Sequence, residues 1–120
     1  MIDAAVQSAF SEEGSATFVT EGADGPHLVA TWQSYLMMLG PETLAWPAAG
    51  YQVTEANLRS GSPVQLVVGS RIGKATVGYR LRGTAELQKD TPAGVQVRQR
   101  FPWCRAAFVL HVTAVERILG

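Results

Sequence analysis

The sequence predicts a mainly β protein, an antiparallel six-stranded β-barrel with three short helices, in a single domain spanning residues 1–120. Three observations predict it. Six segments are strand-sized and alternate or are rich in branched and aromatic residues. Most links between them are turn-sized, too short for repeated parallel crossovers. Three further stretches carry helical apolar spacing or helix-start signals.

The first helix rests on Ile2, Ala5, Val6, Ala9 and Phe10, which share one face, and ends at Glu12-Glu13-Gly14. Ala16 to Thr20 reads as a short strand and His27 to Leu36 as the next. Glu21-Gly22-Ala23-Asp24-Gly25-Pro26 between them reads as a longer hairpin loop. Gly40-Pro41-Glu42 is a turn into a strand at Thr43 to Pro47. Thr54 is placed to cap a second helix through Leu58, with Gly61 just beyond its end. Val64 to Ser70 is an apolar strand, and Arg71 to Gly78 reads as a loop. Tyr79 to Leu87 alternates, with Tyr79, Leu81, Gly83, Ala85 and Leu87 on one face and the polar residues on the other. Thr91-Pro92 opens a third helix, with Ala93, Val97 and Phe101 on one face and Pro102 as its stop. Ala106 to Ala114 is the last strand.

Composition excludes several classes. At 47% hydrophobic and net charge +0 the chain is not of the disordered type. No run approaches the ~20 apolar residues of a membrane helix. Met1-Ile2-Asp3 lacks the basic start of a signal peptide. Cys104, as the only cysteine, rules out an internal disulfide or a cysteine-clustered zinc site, and a reduced cytoplasmic setting is expected. The zero net charge hides an asymmetry. Residues 1–58 hold no Lys or Arg but seven acids, while the rest holds all ten basic residues against Glu86, Asp90 and Glu116. The halves are expected to attract within the fold or across a dimer, or the basic half to serve an anionic ligand. Nucleic acid is not the expected partner, because the basic residues are dispersed and balanced by acids.

Side chains for acid–base or nucleophilic catalysis are scarce. His27 and His111 are the only histidines and read as structural, and Cys104 reads as buried filler. No Walker loop and no dinucleotide-binding glycine pattern occurs. Gly83 reads as a strand glycine where another backbone approaches or the sheet bends. Aromatic residues are more suggestive. Trp32, Tyr35 and Trp103 offer stacking area with a polar edge, which suits a flat heteroaromatic ligand. Trp46-Pro47-Ala48-Ala49-Gly50 follows with small side chains that let backbone approach a ligand. The helix start at Thr54 offers N–H groups and a hydroxyl to a phosphate.

With those residues in place, the chain resembles the small bacterial FMN-binding protein family, of the split-barrel group related to pyridoxamine 5'-phosphate oxidase. The residues that carry the likeness are Asp24-Gly25-Pro26-His27-Leu28-Val29, Thr31-Trp32, Ser34-Tyr35-Leu36, Gly50, Thr54-Glu55-Ala56-Asn57 and Gly69-Ser70-Arg71. Arg82-Gly83, Phe101, Trp103 and Arg105-Ala106-Ala107 complete it. The resemblance implies a homodimer of split barrels with FMN bound noncovalently near the interface. It places ring contacts on Trp32, Tyr35, Pro47, Ala49, Gly50 and Trp103, and phosphate contacts on Thr31 and Thr54. Leu119 matches a residue that reaches the flavin of the partner subunit.

The family pattern has asparagine where Ala30 stands and lysine where Val53 stands, both at the phosphate end, and a glycine pair where Ala49-Gly50 stands. Arg71, after a Gly-Ser pair, is the expected substitute for the missing charge. The expected function is electron transfer or redox work by bound flavin, with an unidentified redox partner. Alternatives are a flavin-dependent reductase or oxidase of a small molecule, or a barrel that is cofactor-free or holds deazaflavin or haem.

Overall fold

A computed structural model describes residues 1–72 and 75–120. Seven strands form one fully antiparallel sheet: β1 (Ser15–Gly22), β2 (Gly25–Trp32), β3 (Met37–Gly40), β4 (Thr43–Ala48), β5 (Val64–Ile72), β6 (Ala75–Gln88) and β7 (Ala106–Leu119). Their order across the sheet is β2-β1-β5-β6-β7-β4-β3. β2 and β3 are therefore consecutive in the chain yet form opposite edges. In a flat sheet those edges stand about 29 Å apart. The link from Trp32 to Met37 spans at most about 18 Å. The sheet must curl until its edges approach, which makes a barrel with an opening between β2 and β3: the split barrel.

The seventh strand corrects the expectation of six. His27 to Leu36 is not one strand. It breaks at a 3-10 turn over Gln33–Tyr35, and β3 begins beyond it. The cause is Gln33, a buried glutamine whose amide ends are all claimed from outside β2. Its Nε2 donates to the Glu12 carbonyl at 2.8 Å, its Oε1 accepts from Gly69 N–H at 2.8 Å, and its own N–H donates to the Gly14 carbonyl. Three backbone partners for one buried residue outweigh continuation of a ladder.

Two loops are also tighter than the sequence suggests. β1 and β2 pair out to Gly22 and Gly25, which leaves Ala23-Asp24 as the turn. Gly25 takes φ +100°, a value that favours glycine. The stretch read as a loop from Arg71 to Gly78 belongs to strands at both ends, since Arg71 pairs with Thr76 and Ser70 with Val77. Its tip, residues 73 and 74, lies outside the described residues.

Helix α1 (Ala4–Ala9) is capped by the Asp3 carboxylate on the Val6 N–H, and α3 (Pro92–Arg100) by the Thr91 hydroxyl on the Gly94 N–H. α2 (Gln52–Arg59) departs from expectation. Its N-cap is Tyr51 rather than Thr54, which sits inside the first turn. Phe18, Trp46, Phe108 and a layer of Leu and Val fill the barrel, with Ile2, Val6, Ala9 and Phe10 of the α1 segment packed on them. α3 lays Val97 against the outer side of β4 and β7, with Phe101 and Cys104 beside it, so the start of β7 is buried on both faces. Gly83 lies where the β6–β7 register shifts, and a Cβ there runs into the His111 carbonyl oxygen, as the close-approach reading expects.

Candidate functional site

A cleft of about 440 Å³ opens where the end of β2 faces the chain leaving β4. Ser15, Ala30, Thr31 and Trp32 form one wall. Pro47, Ala49, Gly50 and Tyr51 form the other, and Tyr35 and Trp103 close the side. Its volume lies in the ordinary range for small-molecule sites. Among the described residues no charged side chain lines it.

The aromatic walls arise from local structure. The 3-10 turn after β2 leaves Trp32 and Tyr35 on one approach. Trp103 sits on the turn between α3 and β7, held by Phe101. Tyr35, Phe101 and Trp103 form a cluster with ring centroids 5.0, 5.8 and 5.9 Å apart. Arg100 stacks over Phe101 and donates to the Ser34 carbonyl at 2.8 Å, which ties α3 to the turn. Trp32 and Trp103 are nevertheless 51% and 55% exposed. Two indoles more than half exposed at one cleft is unusual for a surface with no ligand or partner on it.

The opposite wall is built by Tyr51 and Arg105. Tyr51 is the only non-glycine residue with positive φ among the described residues, at 64°. That conformation throws its ring back into the barrel end, edge-on to Phe18 at 5.3 Å. Its hydroxyl donates to the Ala30 carbonyl at 3.2 Å. Burial pushes the phenol pKa up, partly countered by the Thr31 and Trp46 side chains beside it, so it stays a neutral donor. Arg105 braces the loop from outside the cleft. Its Nε donates to the carbonyls of Ala49 at 3.0 Å and Gly50 at 3.1 Å, and Nη2 to Gly50 at 2.6 Å. The same nitrogen meets Glu55 Oε1 at 3.3 Å, and Arg59 meets Oε2 of that carboxylate at 3.5 Å.

Of the expected contacts, the structure brings together Thr31, Trp32, Tyr35, Pro47, Ala49, Gly50 and Trp103. Three do not line this cleft. Thr54 is fully buried in α2, its hydroxyl without a partner among the described residues. Arg71 is exposed near the end of β5, and Leu119 is exposed at the end of β7 opposite Gly78. Ser15 and Tyr51 were not anticipated. Tyr51 gave no signal, because left-handed tyrosine is rare and its ring is placed by the helix it caps. The expected attraction between the acidic and basic halves is carried by Glu55 alone among the described ion pairs, since Glu86 and Glu116 pair within the second half.

His111 meets Glu86 on the sheet surface at 3.2 Å, and Cys104 is buried, both in structural positions. Among the described residues no cluster of His, Cys, Asp or Glu is arranged to hold a metal ion. Among the described residues no helix is long and apolar enough to cross a membrane.

The fold is that of a split-barrel protein, with an open aromatic cleft beside the end of β2. Among solved structures the chain is similar to HupZ of Group A Streptococcus, with a TM-score of 0.83 and 18% identity over 98% of this chain and 94% of that one. It is also similar to a pyridoxamine 5'-phosphate oxidase-like protein of Lactobacillus delbrueckii, with a TM-score of 0.76 and 21% identity over 95% and 92%. At such identities the likeness establishes the fold. The chain is 39% identical, over 112 residues, to the FMN-binding protein of Nitratidesulfovibrio vulgaris (strain DSM 19637 / Miyazaki F), which is 89% of this chain and 90% of the relative. The chain belongs to that FMN-binding protein family. No family model matches it.

Proposed function

We propose that the cleft holds FMN noncovalently and that the protein is a small flavoprotein that carries electrons, its flavin beside the seam of a homodimer. The observation that carries this reading is Trp32 and Trp103 at one cleft that no charged side chain lines among the described residues. Leaving two indoles wet is unfavourable, and a flat ring system that covers both removes their apolar area from water. Tyr35, Pro47, Ala49 and Gly50 complete the ring site, with no side chain bulky enough to close it. The phosphate end falls to Thr31 and to the start of α2, where Glu55 N–H makes the first intrahelical bond, to Tyr51, and the N–H groups before it have no intrahelical acceptor. FMN, when bound, supplies one- and two-electron chemistry. The protein's part is to exclude water from the ring and orient it; no side chain acts as acid or base.

The dimer reading is supported by the outer face of β2, β1 and β5. Leu28, Ala30 and Trp32 point outward on β2, and Leu28 and Ala30 stand opposite Val19 and Thr17 of β1. Thr17 in turn faces Val67 of β5, and Ile118 joins the patch. This apolar row runs directly into the cleft at Ala30 and Trp32, so a second copy on it covers the flavin. Arg71 and Leu119, both exposed and outside the cleft of their own chain, are then available to the flavin of the other copy. The single thiol, buried at Cys104, suits a reducing cytoplasm.

The test is the absorption spectrum of the purified protein, followed by titration of the flavin-free protein with FMN. A yellow protein whose flavin absorbance follows it on gel filtration at twice the chain mass is expected. Colourless protein that takes up no FMN overturns the reading. Rapid reduction of bound flavin by NADH or NADPH with turnover of a small molecule replaces electron carriage by an enzyme.

A further inference from the structure

We propose that Arg105 is a positioning residue for the cleft: by holding the Ala49 and Gly50 carbonyls on its own side, it turns the Gly50 and Tyr51 amide hydrogens toward the ligand. The proposal rests on the flavin reading above. In a trans peptide the C=O of one residue and the N–H of the next point in opposite directions. Arg105 claims the Ala49 carbonyl, which sets the Gly50 N–H, and the Gly50 carbonyl, which sets the Tyr51 N–H. Arg105 itself does not line the cleft, whereas Ala49, Gly50 and Tyr51 do. Neither amide has a hydrogen-bond partner among the described residues. Two adjacent donors, aimed alike and unpaired, suit an electron-rich edge of a heteroaromatic ring, where charge grows on reduction. Glu55 sets the guanidinium plane, and the Arg105 N–H bond to Ala48 O at 2.9 Å fixes the base of the side chain. Only a planar fork grips two successive carbonyls in this way, and a lysine ammonium does not reproduce it.

The experiment compares wild type, Arg105→Lys, Arg105→Ala and Glu55→Gln. In the free proteins, amide NMR reads the loop directly. Arg105→Ala is expected to broaden or split the Gly50 and Tyr51 cross-peaks while β6 is unchanged. FMN titration is expected to show affinity about tenfold weaker in Arg105→Ala and partial recovery in Arg105→Lys. Glu55→Gln, which keeps the carbonyl fork, is expected to stay within about threefold of wild type. Bound flavin in Arg105→Ala is expected to have a more negative reduction potential, because the donors no longer meet the reduced ring. If wild type binds FMN and Arg105→Ala binds it equally, with unchanged loop amides and potential, Arg105 has no positioning role. If Arg105→Ala fails to fold, Arg105→Lys decides by the same readouts, full wild-type affinity and potential counting against the fork. Wild type that takes up no FMN instead removes the flavin reading on which the proposal stands.

Discussion

The Tyr51 hydroxyl donates to the Ala30 carbonyl at 3.2 Å, and this bond joins the two walls of the cleft. Ala30 lies in one wall on β2, and Tyr51 caps α2 in the other. The bond is therefore placed to set the width between the walls. Tyr51 reaches it only from a left-handed backbone, which costs about 1 kcal/mol or more for a non-glycine residue. Edge-on packing against Phe18 and Phe108 offsets that strain. Tyr51→Phe keeps the packing and removes the bond. Unfolding free energy should fall by about 0.5–1.5 kcal/mol. FMN affinity should fall as the walls loosen. Denaturant melts with and without FMN check both, and an unchanged FMN-bound midpoint shift shows that the bond does not set the gap.

Trp32 and Trp103 are the exposed indoles of the cleft proposed for the flavin ring, so their removal should be felt by the flavin and little by the fold. Each indole is more than half exposed, and truncation should change stability by no more than about 1 kcal/mol. Flavin stacked on indole is expected to be dark. Emission should rise in Trp32→Ala with FMN still bound at high concentration. Unchanged emission in both single variants places the ring away from these side chains.

Gly83 allows a close approach of the β6 and β7 backbones. A Cβ there meets the His111 carbonyl and comes 3.1 Å from Val112 Cα, both of them backbone and unable to swing away. Gly83→Ala must push β6 from β7 at the bulge. A loss of about 1–3 kcal/mol is expected, roughly 5–15 °C in Tm. A calorimetric Tm within about 2 °C of wild type means that the bulge absorbs the methyl group.

Glu13 accepts from the Ser34 hydroxyl, the Ser34 N–H and the Gly14 N–H. The Ser34 hydroxyl, first, and the two backbone donors hold its carboxyl below the ordinary glutamate value. A depressed folded pKa adds stability that is complete above the unfolded value and is lost as pH falls through the lower folded value. The group is solvent-exposed, so the effect is small and local. Carboxyl NMR should give Glu13 a midpoint below that of a free glutamate, and Ser34→Ala should move it back up. No movement in that variant removes the hydroxyl as the cause.

Strand patterning made most of the fold legible, because alternation and branched residues report burial on one face directly. Gly83, Thr91-Pro92 and the Ala93/Val97/Phe101 stripe each served the role their chemistry implies. What escaped was set by long-range partners. Gln33 looks like an ordinary polar residue within a strand until Glu12 and Gly69 arrive to claim its amide. The helix is capped at Tyr51 rather than Thr54, just after the Gly50 carbonyl that Arg105, over 50 residues later in the chain, holds. The walls of the cleft were legible as small and aromatic residues near chain turns. Arg71 was not placeable, because the strand carries it past the cleft of its own chain rather than into a loop beside it.

Thr54 separates a structural cost from a binding role. Its hydroxyl is fully buried and has no partner among the described residues. A threonine inside a helix can bond the carbonyl four residues back. That carbonyl belongs to Gly50 and is gripped by Arg105 instead. An unsatisfied buried hydroxyl costs about 1–3 kcal/mol, so Thr54→Val, close in shape and without the polar atom, should leave the free protein as stable as wild type or raise its Tm. If the hydroxyl is kept for the phosphate of FMN, the same variant should bind FMN about three- to tenfold more weakly, while affinity for riboflavin, which has the ring and ribityl chain but no phosphate, stays level. Equal loss for both flavins places Thr54 at the ring or chain. No loss for either makes the buried hydroxyl a cost the fold carries without use.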